Sequence, residues 1–196
     1  MELILIRHGL PRHVENRDGV PADPPLSQIG HTQADRMATW LQREAIEHLY
    51  SSPMTRAYQT AEPLALAQGL DIVVRDGVAE YDRQSETYIP VEKLKEIDYD
   101  RWLALMKGEV AVDFEAFAAT VVETLEAMVS EHPGGKVAVT CHGGVINVWT
   151  AHVIGFAPRL FFNPDYTSIN RFQCARSGER SVITLNEAVH LREVQG

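Results

Sequence analysis

Cysteine is scarce in this chain of 196 residues, cations are outnumbered, and no apolar run is long. The 2 cysteines, Cys141 and Cys174, have neither a CxxC partner nor a histidine at metal-ligand spacing. That excludes a disulfide framework, and the simple expectation is a reduced, cytoplasmic protein with no metal site. Lys and Arg total 18 against 27 Asp and Glu, a formal net charge of −9. Such a balance disfavours generic attraction to nucleic acid or to an anionic membrane, although local basic sites are compatible with it. The first apolar run ends at Arg7, too early for a secretory signal, and nothing approaches a membrane span. Repeats and low-complexity tracts are missing as well.

What is present is enough apolar content, 45%, for one sizeable core and no evident linker, so residues 1–196 are expected to form a single domain. Leu3 to Ile6 and Lys136 to Cys141 read as strands buried on both faces, and shorter strands are expected at His48 to Ser51 and Asp71 to Arg75. Helical spacing runs from Gln28 to Glu44, Met54 to Gln68, Val91 to Met106, Asp113 to Glu131 and Val145 to Ile154. Ile169 to Cys174 and Ser181 to Leu185 form a closing pair of strands. Gly9 to Pro25 is a loop, long enough to suggest a functional one. The alternation predicts an α/β fold, a three-layer α/β/α sandwich around a mixed, mostly parallel sheet.

In such folds ligands sit beyond the carboxyl ends of the strands. Arg7 and His8 follow one strand, Ser51, Ser52 and Arg56 a second, Glu80 a third and His142 a fourth. Two guanidinium forks and a protonated histidine suit a tetrahedral oxyanion, and Gly143-Gly144 opening a helix adds N–H groups and the positive end of its dipole. A neutral imidazole at His8 is a competent nucleophile toward phosphorus if its second nitrogen is held as N–H. Gly9 allows the backbone close enough to do that. A carboxyl with a raised pKa must then protonate the leaving oxygen, and Glu80 is favoured by position over Asp76, Asp82 and Glu86. With arginines neutralising charge, no metal or other cofactor is required. Arg12 and Arg17, in the loop after the first strand, are further candidates for binding an anionic substrate.

Four segments, "LIRHG", "SSPMTRAYQTA", "VAEYD" and "VTCHGGVI", occur in the order and at the spacing of the histidine phosphatase superfamily, the phosphoglycerate mutase-like family, which the chain resembles over nearly its whole length. "PPLSQIGHTQA" and "LNEAVHL" add to the likeness. The resemblance implies that His8 is the phosphorylated nucleophile, that Arg7, Arg56 and His142 hold the phosphoryl group, and that Glu80 is the proton donor. The implied activity is hydrolysis of a small phosphorylated metabolite, with phosphate as product.

Two alternatives stand beside it. The first is mutase-type phosphoryl transfer, against which "EYDRQSETYIP" lacks the glutamate-arginine-histidine-tyrosine stretch that mutases resembling this family carry. The second is a non-catalytic phosphate-binding scaffold, against which every reactive position is filled. After RHG the chain reads Leu10-Pro11-Arg12-His13, without the polar residues usual there, so the resemblance does not choose a substrate. Residues 81–112 read either as an amphipathic helix with a solvated face or as a cap over the pocket. A homodimer through an edge strand or helix face is left open.

Overall fold

The computed structural model describes residues 1–15, 19–107 and 113–192. The elements in chain order are β1 (Glu2–Arg7), β2 (Val14–Glu15), α1 (Gln28–Leu41), β3 (His48–Ser51), α2 (Thr55–Gln68), β4 (Ile72–Val74), β5 (Thr87–Tyr88), α3 (Val91–Ile97), α4 (Tyr99–Met106), α5 (Phe114–Glu131), β6 (Lys136–Cys141), α6 (Gly143–Ile154), β7 (Ile169–Cys174) and β8 (Arg180–Glu187). Six strands form the main sheet in the order β4-β3-β6-β1-β7-β8. The first four run parallel; β7 is antiparallel to β1 and β8 to β7.

β1 shows why the aliphatic run is continuous. Leu3 and Leu5 point into one core cluster with Leu125, Met128, Val139 and Trp149, from α5, β6 and α6. Ile4 and Ile6 enter the other with Met37, Leu41, Leu49 and Leu64, from α1, β3 and α2. A central strand flanked by helices on both faces has no solvent side, so side-chain alternation sorts apolar residues between two cores. Fully burying each such side chain contributes roughly 1.5–3 kcal/mol. These two helical layers and the sheet between them are the three-layer architecture expected from the sequence.

Two features depart from the expected pattern. The helix foreseen over Val91 to Met106 breaks at Asp98, whose backbone (φ −150°, ψ 82°) leaves the helical region while its side chain accepts from the Arg101 N–H at 3.0 Å. Asp98 therefore ends α3 and caps α4. Inside the long loop, β2 pairs with β5, Val14 opposite Tyr88 and Glu15 opposite Thr87. A two-residue ladder has no periodicity to betray it.

Candidate functional site

The parallel register places three strand ends side by side. Arg7 is paired with Cys141 and Ser51 with Thr140, and the His8 N–H donates to Cys141 O at 2.9 Å while the Ser52 N–H donates to Thr140 O at 3.0 Å. Arg7, His8, Ser52, Arg56, Glu80 and His142 are all buried. Arg7, His8, Arg56 and Glu80 line a cavity of about 600 Å3 together with Asp82, Tyr88, Gly143 and Gly144 among others, whereas Ser52 and His142 are buried outside its lining, the His142 ring 5.2 Å from that of His8.

His8 is held in one orientation from both sides. Its Nδ1 donates to Gly9 O at 2.8 Å and its Nε2 accepts from Arg56 Nε at 3.3 Å, an assignment in which the ring is neutral. Burial, then the charges of Arg56 and Arg7, drives the imidazole pKa well below 6.5, so the neutral form prevails at pH 7. The Gly9 N–H is fixed by Thr60 Oγ1 at 3.0 Å, and that hydroxyl donates to Arg56 O at 2.7 Å. Thr60 thus ties the histidine loop to the helix bearing Arg56. Gly9 is also where α1 crosses: a Cβ there would lie 2.6 Å from Gly30 O, closer than real contacts allow.

Each arginine lies over a tyrosine ring. Arg56 lies 4.5 Å from the centroid of Tyr88, delivered by the β2–β5 ladder. Arg7 lies 4.1 Å from the centroid of Tyr166 and donates through Nη1 to Asn163 Oδ1 at 3.2 Å and to Pro164 O. Such stacking leaves guanidinium edges for an anion while the ring face compensates part of the burial. Arg56 Nη1 has no hydrogen-bond partner among the described residues, and the nearest carboxylate, Asp82, is 3.7 Å from Nη2.

Glu80 accepts from the Gly144 N–H at 2.9 Å and from the Tyr81 N–H at 3.2 Å. A Cβ at Gly144 would overlap this carboxylate, so the residue opening α6 must be glycine for Glu80 to reach the helix end. Burial first, and then the neighbouring Asp82, pushes the Glu80 carboxyl up to about 7, in spite of the two N–H donors. Asp82 is raised too, by burial, so the pair resists double ionisation.

The protonated histidine of the sequence reading is expected against a bound oxyanion. Burial, then Arg56, His8 and Arg7, holds the His142 imidazole well below 6.5. Its Nε2 is 2.7 Å from Ser52 Oγ. Ser52 Oγ also accepts from the Met54 N–H at 3.2 Å, so the contact fixes the ring through Nε2 and not through Nδ1. That atom is buried without a partner among the described residues, with the ring centroid 5.2 Å from that of His8. A dianion entering between these groups would raise both histidines.

Of the further candidates, Gly143 lines the cavity, whereas Arg12 is exposed and outside its lining. Arg17 lies outside the described residues. The sequence reading missed Thr60, Asn163, Pro164 and Tyr166. Only Thr167 carries a local signature of that last segment: it is buried at φ 56°, a conformation costly for a β-branched residue, and held by its Oγ1 to Tyr166 O at 2.7 Å and to His190 Nε2 at 2.9 Å. Backbone strain of this kind is invisible in one sequence.

Known proteins resemble this chain in sequence and fold. The family model described as the histidine phosphatase superfamily, branch 1, matches residues 3–187. Phosphoserine phosphatase 1 of Hydrogenobacter thermophilus is 35% identical over 108 residues, 53% of this chain and 51% of that protein. Phosphoglycerate mutase-like protein 4 of Arabidopsis thaliana is 28% identical over 207 residues, 98% of this chain and 87% of the relative. A phosphoserine phosphatase mutant from Entamoeba histolytica, solved with phosphoserine, shares the fold at a TM-score of 0.77 and 20% identity over 97% of this chain and 99% of its own. Native mycobacterial glucosyl-3-phosphoglycerate phosphatase does so at 0.76 and 20%, covering 94% and 98%. With the match running from the first strand to the last, the chain belongs to the histidine phosphatase superfamily, branch 1.

Proposed function

We propose that this protein hydrolyses phosphomonoesters through a phosphohistidine on His8. One observation carries the reading. One cavity joins a neutral His8, its Nε2 lone pair turned toward Arg56, to a Glu80 carboxyl pushed up to about 7. A nucleophile and an acid are thereby poised at the same pH.

The phosphoryl dianion docks between Arg7 and Arg56, with His142 and the first turn of α6 at Gly143 beside it. His8 Nε2 attacks phosphorus, the P–O bond to the leaving group breaks, and Glu80 gives its proton to the departing oxygen. Glu80, now a carboxylate, takes a proton from water as that water attacks phosphorus. The P–N bond breaks, inorganic phosphate leaves, and both residues return to their starting states. Arg7 and Arg56 supply the charge neutralisation that makes a metal unnecessary in this reading.

Residues 81–112 act in this proposal as a cap: Leu94 from α3 and Arg101, Ala104 and Leu105 from α4 line the cavity. The substrate is a small phosphorylated metabolite. The excess of negative charge speaks against nucleic acid, and the free, buried Cys141 and Cys174 suit a reducing cytoplasm. The experiment is phosphate release from a panel of phosphomonoesters with and without a chelator, coupled to trapping of acid-labile, base-stable phosphate on the protein. Turnover with an adduct that disappears in His8→Ala is expected. Absence of both release and adduct would overturn the reading, and activity abolished by chelation would overturn its metal independence.

A further inference from the structure

Resting on that hydrolase reading, we propose that the leaving group is a bulky, uncharged, largely apolar alcohol, selected by a chamber between the cap and the loop after α6. At about 600 Å3 the cavity is in the range that encloses whole drug-sized ligands, far more than a phosphoryl group requires. Its charges are concentrated at one end, on Arg7, Arg56, Glu80 and Asp82. The remaining walls include the apolar Ile89, Leu94, Leu105, Leu160 and Phe162 and the neutral polar Gln84, Ser85, Thr87 and Asn163, and among the described residues the only further charged one in the lining is Arg101, exposed on α4. An ammonium or carboxylate on the leaving group would lose its water against these walls without a buried partner. An alkyl or aryl group would gain by burial.

The loop side of the chamber is fixed in advance. Asn147, buried in the otherwise apolar α6, receives the Phe161 N–H at 2.8 Å and the Phe162 N–H at 3.2 Å on Oδ1. Its Nδ2 donates to Phe162 O at 2.9 Å and to Gly143 O at 2.8 Å. All of its hydrogen-bonding capacity goes to binding the Leu160–Phe162 wall to the same helix end that meets the phosphate. The apolar wall and the phosphate cradle are therefore set in one frame, and ordering them upon binding costs little.

A series of n-alkyl phosphates from ethyl to octyl tests this. Their leaving groups have nearly the same basicity, so differences in kcat/KM report contacts to the chain rather than chemistry. Each methylene added is expected to raise kcat/KM by up to roughly fourfold until the chamber is full. Hexyl phosphate should exceed ethyl phosphate, phosphoserine and 3-phosphoglycerate by at least about tenfold. Leu105→Ser and Phe162→Ser should flatten the dependence on chain length, read as the hexyl-to-ethyl ratio within each variant. Phosphate release with a flat or falling chain-length profile, or with the charged esters preferred, would overturn the inference and leave the hydrolase reading standing. Absence of release from every ester would overturn the hydrolase reading, and this inference with it.

Discussion

Two arginines at opposite ends of one sheet have contrasting surroundings. Arg171, on β7, meets Glu2 at 2.8 Å, Glu44 at 2.9 and 2.5 Å, and Glu187 at 3.2 Å, and Lys136 joins Glu2 at 3.1 Å and Glu44 at 2.9 Å. Arg56 is more deeply buried, yet it has one imidazole, one tyrosine face, a carboxylate at 3.7 Å and an Nη1 without a partner among the described residues. Glu2 and Arg7 begin and end the same strand, so the contrast is drawn within six residues of β1. Charges matched on the spot hold the molecule together. Charges buried short of partners are held for something that arrives, and the stability lost in burying them is recovered when an anion binds.

Substitutions can break that contrast. His8→Ala should have the largest effect, at least about a thousandfold in kcat with loss of the phosphoprotein, since no other group at the site can carry the covalent step. Glu80→Gln should lower kcat by roughly 10²–10³-fold for esters of poor leaving groups, and much less for activated aryl esters that leave without a proton. The wild-type rate should fall as pH rises through about 7, where Glu80 loses the proton it must donate.

The sign for stability follows from the same residue. A carboxyl raised from 4.5 to about 7 in the folded state makes ionised Glu80 a cost that develops between those values. Glu80→Gln should therefore melt higher than the wild type at pH 8, with little difference at pH 4; thermal denaturation at the two values checks it.

At the other end of the sheet Arg171→Met should cost about 1–3 kcal/mol of stability, discounted for partial exposure, while kcat/KM of the folded protein stays unchanged. Burial alone would raise the Glu44 carboxyl, but hydrogen bonds from Arg171 and then Lys136 hold it below 4.5. Its contribution is present above that pH and lost as acid protonates it. The smallest effect sharpens the comparison: inorganic phosphate at a hundred times its Kd should stabilise the wild type by about 2.7 kcal/mol, and Arg56→Met by less. Equal stabilisation of the two proteins would mean that Arg56 is not held for the anion.

Legibility in the sequence followed the range of the interactions. The strands β1, β3 and β6 were visible because burial on both faces demands unbroken apolar runs, and the positions of Arg7, His8, Arg56, Glu80 and His142 followed from where those runs stop. The break at Asp98 was hidden because helical spacing of apolar residues continues across it. Tyr88 stands in the sequence without a role; the two-residue ladder with Val14 puts it under Arg56. Thr60 stood inside "SSPMTRAYQTA" without a role assigned to it, and Tyr166 carried no pattern at all. Their roles are hydrogen bonds and ring contacts to residues distant in the chain.

By itself, then, the sequence determined the layered α/β architecture and which polar side chains stand at its strand ends, because hydrophobic periodicity and residue chemistry are local properties. Only the tertiary structure decided their protonation and the shape of what they act on. Burial beside two arginines favours neutral His8 and His142, burial and then a second carboxylate raise Glu80, and helices α3 and α4 with the Asn147-fixed loop supply apolar walls to the cavity. Each of these depends on the distance between groups far apart in the chain, and Coulomb and desolvation energies are set by that distance and by the exclusion of water.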